Sequence, residues 1–269
     1  MTPPLFLITP EELDGDRIVL AGAEGRHAAA VRRLRAGEVV DLADGAGRRA
    51  RCTVQDVAAD RSSVSFVAQT YTTEPVPQPW LTVVQAIPKG EHGELAVELL
   101  TEAGADRIVP WEAERCVARW RVEGGRRDKA LRKWRATARE SAKQCRRARI
   151  PEVSDPVRGP DAAERLSGAG LGLLLDSEDD SAGDPGSSPA SSPDGAGDAP
   201  TAPIVDTDVP SYGEIVIVVG PEGGFSPPEY RAFAEAGAQR VRLGPTVLRS
   251  ATAGFAALTV LQARTGRWR

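Results

Sequence analysis

Two regimes of hydrophobic patterning divide the chain. Up to about Tyr71 the apolar positions come in short alternating stretches, among them Arg17 to Leu20, Glu38 to Asp41, Arg48 to Gln55 and Ser63 to Ala68. Glycine-bearing turns such as Asp44-Gly45-Ala46-Gly47 separate them, and that period-two pattern predicts a small β-barrel or sandwich. One helix, Gly25 to Leu34, is expected to interrupt it. Prolines at 75, 77 and 79 forbid a helix in the next stretch, which reads as an extended linker. Beyond it, Trp80 to Ile87, Arg107 to Pro110, Leu171 to Leu175 and Ile215 to Val219 read as strands, the apolar runs among them as strands buried on both faces of a parallel sheet. Helices are expected over Leu95 to Ala103, closed by Gly104, over Lys129 to Arg149 and over Ser250 to Gln262. The alternation of strand and helix predicts an α/β domain. The boundaries that follow are a domain over 1–72, a linker over 73–79 and a domain over 80–269.

The most informative stretch follows the Ile215 to Val219 run. Gly220-Pro221-Glu222-Gly223-Gly224 offers three residues free to take positive φ around one proline and one carboxylate, so the backbone can turn tightly and expose its N–H groups. Ser226-Pro227-Pro228-Glu229 then starts a helix, with Ser226 as N-cap, Pro227 in the first turn and Glu229 at the capping-box position. The helix runs to about Ala236 with Gly237 closing it. Val241 to Leu243 forms a short strand, and Gly244-Pro245 makes a second loop before the last helix. Two strand ends therefore each feed a glycine loop and then a helix, the place where ligands settle in open α/β sheets. Two ordinary βα turns are the alternative.

Charge changes this picture. The formal net charge is −4, but nine acids and no Lys or Arg lie between Asp176 and Asp208, so the remainder of the chain carries +5. Fourteen Lys or Arg against three acids fall between Arg115 and Arg149. A nucleic-acid backbone is one partner for such a stretch, and a solvated basic helix is the other reading. The Ser, Pro, Gly, Ala and Asp composition of 176–210 lacks apolar periodicity and predicts a disordered acidic insertion. Cys52, Cys116 and Cys145 are scattered, and His27 and His92 are far apart, so neither a disulfide framework nor a metal site is expected. No signal-peptide pattern and no apolar run near eighteen residues is present, so a reducing cytoplasm is expected rather than a membrane.

The strings GPEGGFS (220–226) and LGPTVLRSATA (243–253), with their spacing, resemble the C-terminal signature of the RsmE family of ribosomal RNA uridine N3-methyltransferases in the knotted SPOUT superfamily. His27, Val31, Arg32, Leu34, Gly37, Glu38, Asp44 and Gly45 are similar to the opening of that family's PUA-like RNA-binding domain. Glu114-Arg115-Cys116-Val117 resembles its SERSV segment, with Cys116 where serine is usual, and KWRATARESAKQCRRARIPEV (133–153) resembles its RW..I..EA.EQS.R..VPEV stretch. The resemblance implies an α/β protein with a C-terminal SPOUT trefoil-knot domain, an N-terminal PUA-like β-barrel domain and a homodimeric assembly. It implies that S-adenosyl-L-methionine is lined by Leu174, Leu175, Val219, Gly220, Pro221, Glu222, Gly223, Leu243, Gly244, Val247 and Leu248. It makes 16S ribosomal RNA of the small subunit the partner, with Arg32, Arg33, Lys89, Arg115, Arg139, Arg146 and Arg147 as candidate contacts.

Methylation at N3 of uridine needs the imide proton removed, the nitrogen held in line with the sulfonium methyl, and a donor beside O2 or O4 for the developing anion. Arg249 is the candidate for that donor, and a surface arginine or phosphate clamp is the alternative. Glu222 could orient the methionine amino group, accept the N3 proton, or simply cap its turn. Two departures matter: the family often reads LG.RILR.ETA, and here Thr246 replaces the first arginine and Ala251 the glutamate. A base role for that glutamate therefore fails in this chain. The competing readings are a SPOUT enzyme acting on another RNA and a catalytically silent PUA-type RNA-binding or ribosome-assembly factor. A P-loop nucleotidase is excluded, since no GxxxxGK[ST] string exists.

Overall fold

A computed structural model describes residues 2–15, 17–120, 125–176 and 201–268. It divides into two compact units, Met1–Val76 with Arg139–Ile150, and Pro77–Ala138 with Pro151–Arg269.

The first unit is built on a five-stranded sheet. Its strands are β1 (Leu5–Leu7), β2 (Arg17–Leu20), β3 (Val39–Ala43), β4 (Arg48–Val57) and β5 (Val64–Thr73), in the order β1-β3-β4-β5-β2. Only the β1–β3 pair is parallel. Alternation does the work expected of it: Ile18 and Leu20 from β2, Ala50, Cys52 and Val54 from β4, and Phe66 from β5 all point into one buried cluster. The short helix α1 (Pro10–Leu13), closed by a Thr9–Glu12 capping box, adds Leu13 to that cluster. The expected helix over 25–34 begins earlier and ends sooner. Helix α2 (Gly22–Arg26) runs into a single π-helical turn, His27–Val31, which buries Ala28 and Ala29, and the backbone reverses at Arg33.

The domain limits expected from sequence miss one exchange. Residues 139–150 follow the linker by a long way yet belong to the first unit. Ile150 N–H donates to the Gly45 carbonyl (2.9 Å), Gly47 N–H to the Ala148 carbonyl (3.2 Å), and Ala148 packs with Leu5, Leu7 and Ala43. Lys143 Nζ reaches Glu24 at 2.6 Å. Burial pulls the Lys143 ammonium down, but its hydrogen bonds to Glu24 and Glu140, with their charges, outweigh this and hold it above the ordinary lysine value.

The second unit carries a sheet of eight strands. Its elements are β6 (Trp80–Ala86), α3 (His92–Glu102), β7 (Arg107–Glu112), α4 (Arg126–Gln144) as far as Ala138, β8 (Glu152–Val153), β9 (Val157–Arg158), β10 (Leu171–Leu175), β11 (Ala202–Pro203), β12 (Glu214–Val219), α5 (Pro227–Glu235), β13 (Gln239–Arg242) and α6 (Ser250–Thr265). A 3-10 helix, Gly159–Leu166, links β9 to β10. The order is β11-β13-β10-β12-β6-β7-β8, with β9 also pairing β7, and every pair is parallel. Central β12 is buried along Ile215–Val219, each side chain worth roughly 1.5–3 kcal/mol of apolar transfer. Its Val216 and Val218 face a cluster that holds Trp111, Leu166 and Phe233, while Val219 meets Gly254 of α6 on the opposite side. Helix α4 ends at Gln144 rather than at Arg149; Trp134, Ala138 and Ser141 on it are buried, and Cys145 just beyond its end is exposed.

Residues 177–200 of the expected acidic insertion lie outside the described residues. The described ends of 176–210 depart from a disordered segment: Asp176 is buried, Ala202–Pro203 pairs with β13, and Ile204 and Thr207 are buried.

Candidate functional site

Three strand ends lie side by side. In register, Leu175 of β10 is flanked by Val219 of β12 and Val241 of β13. A cavity of about 340 Å³ opens there, walled by Leu175, Val219, Val241 and Leu243 and roofed by the two glycine loops, 220–225 and 244–249. Size and lining suit an adenosine-like ligand: apolar walls with loop main chain at the rim.

Local sequence accounts for the shape of the first loop. Gly220 must be glycine, because a Cβ there would fall 2.9 Å from the Phe225 ring. Gly224 takes a φ of 68°, and its N–H closes the turn on the Pro221 carbonyl at 3.0 Å. Phe225 is held by stacking on Trp111 at 5.7 Å. Helix α5 then starts as the sequence predicts, with Glu229 N–H donating to Ser226 Oγ (3.3 Å) and Ser226 N–H to Glu229 Oε2 (2.9 Å). The remaining Glu229 oxygen accepts from Glu114 N–H at 2.7 Å, and Arg115 donates to the Gly223 carbonyl at 3.2 Å. The segment after β7 is thereby fastened to the glycine loop. Cys116, in that segment, is an inert thiol: burial pushes it up to about 11.

The second loop is anchored from below. Gln85 at the end of β6 donates to Ser250 Oγ at 3.1 Å, which fixes the first residue of α6. Arg249 is the N-cap residue; the Thr252 and Ala253 N–H groups both donate to its carbonyl at 2.9 Å. Its guanidinium is exposed at the cavity rim, and no side-chain partner holds it among the described residues. Glu222 stands exposed on the other loop at the same cavity.

Most of the residues expected to line the cofactor meet here: Leu175, Val219, Gly220, Pro221, Glu222, Leu243, Gly244, Val247 and Leu248. Two do not. Leu174 points the other way along the strand and packs in the core with Val84 and Val218, and Gly223 faces Arg115, leaving Gly224 on the wall. Of the candidate RNA contacts, Arg115 lies beside the glycine loop and Lys89 is exposed after β6. Arg32, Arg33, Arg139, Arg146 and Arg147 belong to the first unit.

Sequence reasoning missed Asp176. It ends β10 on the cavity wall, and its Oδ2 accepts from Tyr230 Oη (2.6 Å) and from Arg240 Nη2 (2.9 Å). The signal was a carboxylate directly after a buried apolar strand, hidden as the first member of an acidic run. No cluster of three or more His, Cys, Asp or Glu able to hold a metal occurs among the described residues, and no described helix is long and apolar enough to cross a membrane.

A curled, mostly antiparallel N-terminal sheet followed by a parallel α/β sheet with a loop-roofed cavity at its carboxyl edge defines the PUA-plus-SPOUT class of methyltransferase architecture. Residues 74–262 match the family model described as RNA methyltransferase domain, and residues 20–67 match the one described as RNA methyltransferase PUA domain. The chain is 43% identical over 272 residues to ribosomal RNA small subunit methyltransferase E of Mycobacterium bovis, covering 100% of this chain and 94% of that one. It is 25% identical to the protein of the same name from Bacillus subtilis, covering 91% and 90%. A Legionella pneumophila protein solved with bound SAM superposes with a TM-score of 0.77 at 26% identity over 98% of both chains. Ribosomal RNA small subunit methyltransferase E of Neisseria gonorrhoeae, bound to S-adenosyl methionine, shares the fold with a TM-score of 0.79, at 24% identity and 97% and 98% coverage. The chain belongs to the RsmE family, the ribosomal RNA small subunit methyltransferases E.

Proposed function

We propose that this protein transfers the methyl group of S-adenosyl-L-methionine to N3 of a uridine in the 16S RNA of the small ribosomal subunit. The observation that carries the reading is the cavity at the ends of β10, β12 and β13, with Glu222 and Arg249 at its rim. The cofactor supplies an electrophilic methyl on sulfonium. Everything else falls to the chain's own groups. Leu175, Val219, Leu243 and Leu248 shelter the adenine and exclude water, and the glycine loops offer main-chain hydrogen bonds to its edge. Glu222 faces the cationic end of the ligand and orients its amino group. Arg249, unpaired and at the entrance, stabilises the negative charge that grows on the uracil oxygens as N3 loses its proton.

Ala251, where the family often has glutamate, has a buried methyl side chain and no capacity to take that proton. The acceptor is Glu222, solvent or the RNA. Val247 and Leu248 expose apolar side chains on the loop between β13 and α6, which supports a homodimer formed against this edge. The strand order, with α6 crossing back to pack on β12, β6 and α3, supports the knotted path. Three free cysteines agree with a cytoplasmic setting.

The test is methylation of unmodified small subunits and of 16S RNA with the purified protein, read as 3-methyluridine by nucleoside mass spectrometry. Arg249→Ala is expected to lower turnover about 10²–10³-fold with cofactor affinity within about twofold. Cofactor binding with no methyl transfer by the wild-type protein would instead favour the RNA-binding factor, and methylation at another atom would move the chemistry.

A further inference from the structure

Among the described residues, those other than glycine with left-handed backbone are all arginines: Arg33, Arg61 and Arg146, with φ of 54°, 56° and 61°. All three belong to the N-terminal unit. Such positions crowd the Cβ of an L-residue and normally go to glycine or asparagine. Arg33 stands where the chain reverses after the π-helical turn, just before Leu34 N–H returns to the Ala28 carbonyl at 3.1 Å. Arg61 sits in the β4–β5 hairpin, its N–H closing on the Ala58 carbonyl at 2.8 Å. Backbone strain kept at a position where glycine would relieve it points to a task for the side chain.

Arg33 and Arg61, far apart in sequence, line one open cavity of about 750 Å³ together with Arg35. All three are exposed, and among the described residues no carboxylate or carbonyl holds their guanidiniums. Three other arginines of the unit are neutralised: Arg48 pairs with Asp14, Arg49 with Glu74 and Arg51 with Asp41. Asp56 is the single opposing charge on the cavity wall, so two positive charges remain there uncompensated. Planar guanidinium groups on residues that line an open concavity match the oxygens of a phosphodiester.

We infer that this cavity seats backbone phosphates of the RNA substrate, with Arg33, Arg35 and Arg61 as its cationic walls. The inference rests on the reading of the protein as an RNA methyltransferase and adds a phosphate seat that includes a hairpin residue no motif marks.

Arg33→Gly and Arg61→Gly test it cleanly, because glycine removes the guanidinium and also relieves the backbone. Arg35→Gln removes the third charge. The probe is an unmodified 16S RNA transcript, bound across a series of salt concentrations. Each variant is expected to bind about threefold or more weakly near physiological salt, with the log–log salt slope shallower by roughly 0.7–0.9. The melting midpoint of the two glycine variants should be unchanged or higher, and S-adenosyl-L-methionine affinity unchanged. RNA affinity and slope equal to wild type in all three variants would overturn the inference alone. Loss of inorganic pyrophosphate binding with RNA binding intact would overturn it as well, assigning the cavity to a small anion. A wild-type protein that binds the cofactor but no transcript would sink the RNA reading itself and the inference with it.

Discussion

The Glu229 carboxylate is fully buried, and it survives there because backbone N–H groups from Ser226 and Glu114 occupy its two oxygens. Glu229→Ala is therefore expected to cost about 2–4 kcal/mol, the penalty of leaving one buried and one part-buried donor without acceptors, measurable by urea unfolding. A cost near that of a surface cap, about 1 kcal/mol or less, would show that the tie to Glu114 contributes nothing. Half of this arrangement was legible, since a capping box lies within four residues of sequence. The other half joins positions 115 residues apart, and no local pattern carries that. The cysteines offer a second test. Burial raises the Cys52 and Cys116 thiols to about 11, whereas Cys145 is exposed. At about pH 8, a thiol reagent should label Cys145 alone in the native protein and all three once it is unfolded. The sign of the pH dependence follows: the fold holds these two protons more tightly than the unfolded chain. That contribution is complete below the unfolded thiol value and is lost as pH rises through about 11. Early labelling of Cys116 would contradict the sealed packing behind the glycine loop.

Strand ends become a site only if neighbouring elements are held in register, and the Asp176–Arg240 pair does this for β10 and β13. Both side chains are nearly buried, at 5% and 9% exposure, and the Tyr230 hydroxyl from α5 joins the same carboxylate oxygen. Arg240→Ala leaves a buried carboxylate short of its cation and is expected to destabilise by about 3–5 kcal/mol; a loss under about 1 kcal/mol by denaturant unfolding would show that the pair is screened. The sequence disclosed β12, α5 and the loop between them because an uncharged β-branched run, a glycine cluster and a capping box follow one another. It did not disclose β1, β8, β9 or β11, whose two or three residues are too few for any period to register. Asp176 was concealed by composition, since a count of acids does not separate a carboxylate bound by arginine from one in water. Arg61 was concealed by type, because hairpin turns are read from glycine and asparagine.

At the scale of the whole molecule, a formal charge of −4 is a sum over unlike parts, with nine acids gathered in 176–208 and the basic residues elsewhere. The division into units is a second thing that averages hide: residues 139–150 complete the N-terminal unit although they follow much of the C-terminal one in sequence, through contacts with Gly45, Ala46 and Glu24 that only the fold brings about. The cavity at the ends of β10, β12 and β13, in contrast, lies wholly within the unit formed by 77–138 and 151–269. A ligand stabilises only what it binds, by RT ln(1 + [L]/Kd), which is about 2.7 kcal/mol at a hundredfold excess over Kd. For a unit of this size, that should raise the melting midpoint by roughly 5–10 °C. Calorimetry with S-adenosyl-L-methionine should thus move the transition of the C-terminal unit, and where two transitions separate, that one alone. Arg249→Ala should show the same shift, because its guanidinium is assigned to the uracil and not to the cofactor, whereas filling the cradle with Gly220→Val should abolish it by driving the Phe225 ring into the cavity. A transition that stays in place at saturating cofactor, or an equal shift in Gly220→Val, would mean that the ligand is bound somewhere other than at the ends of β10, β12 and β13.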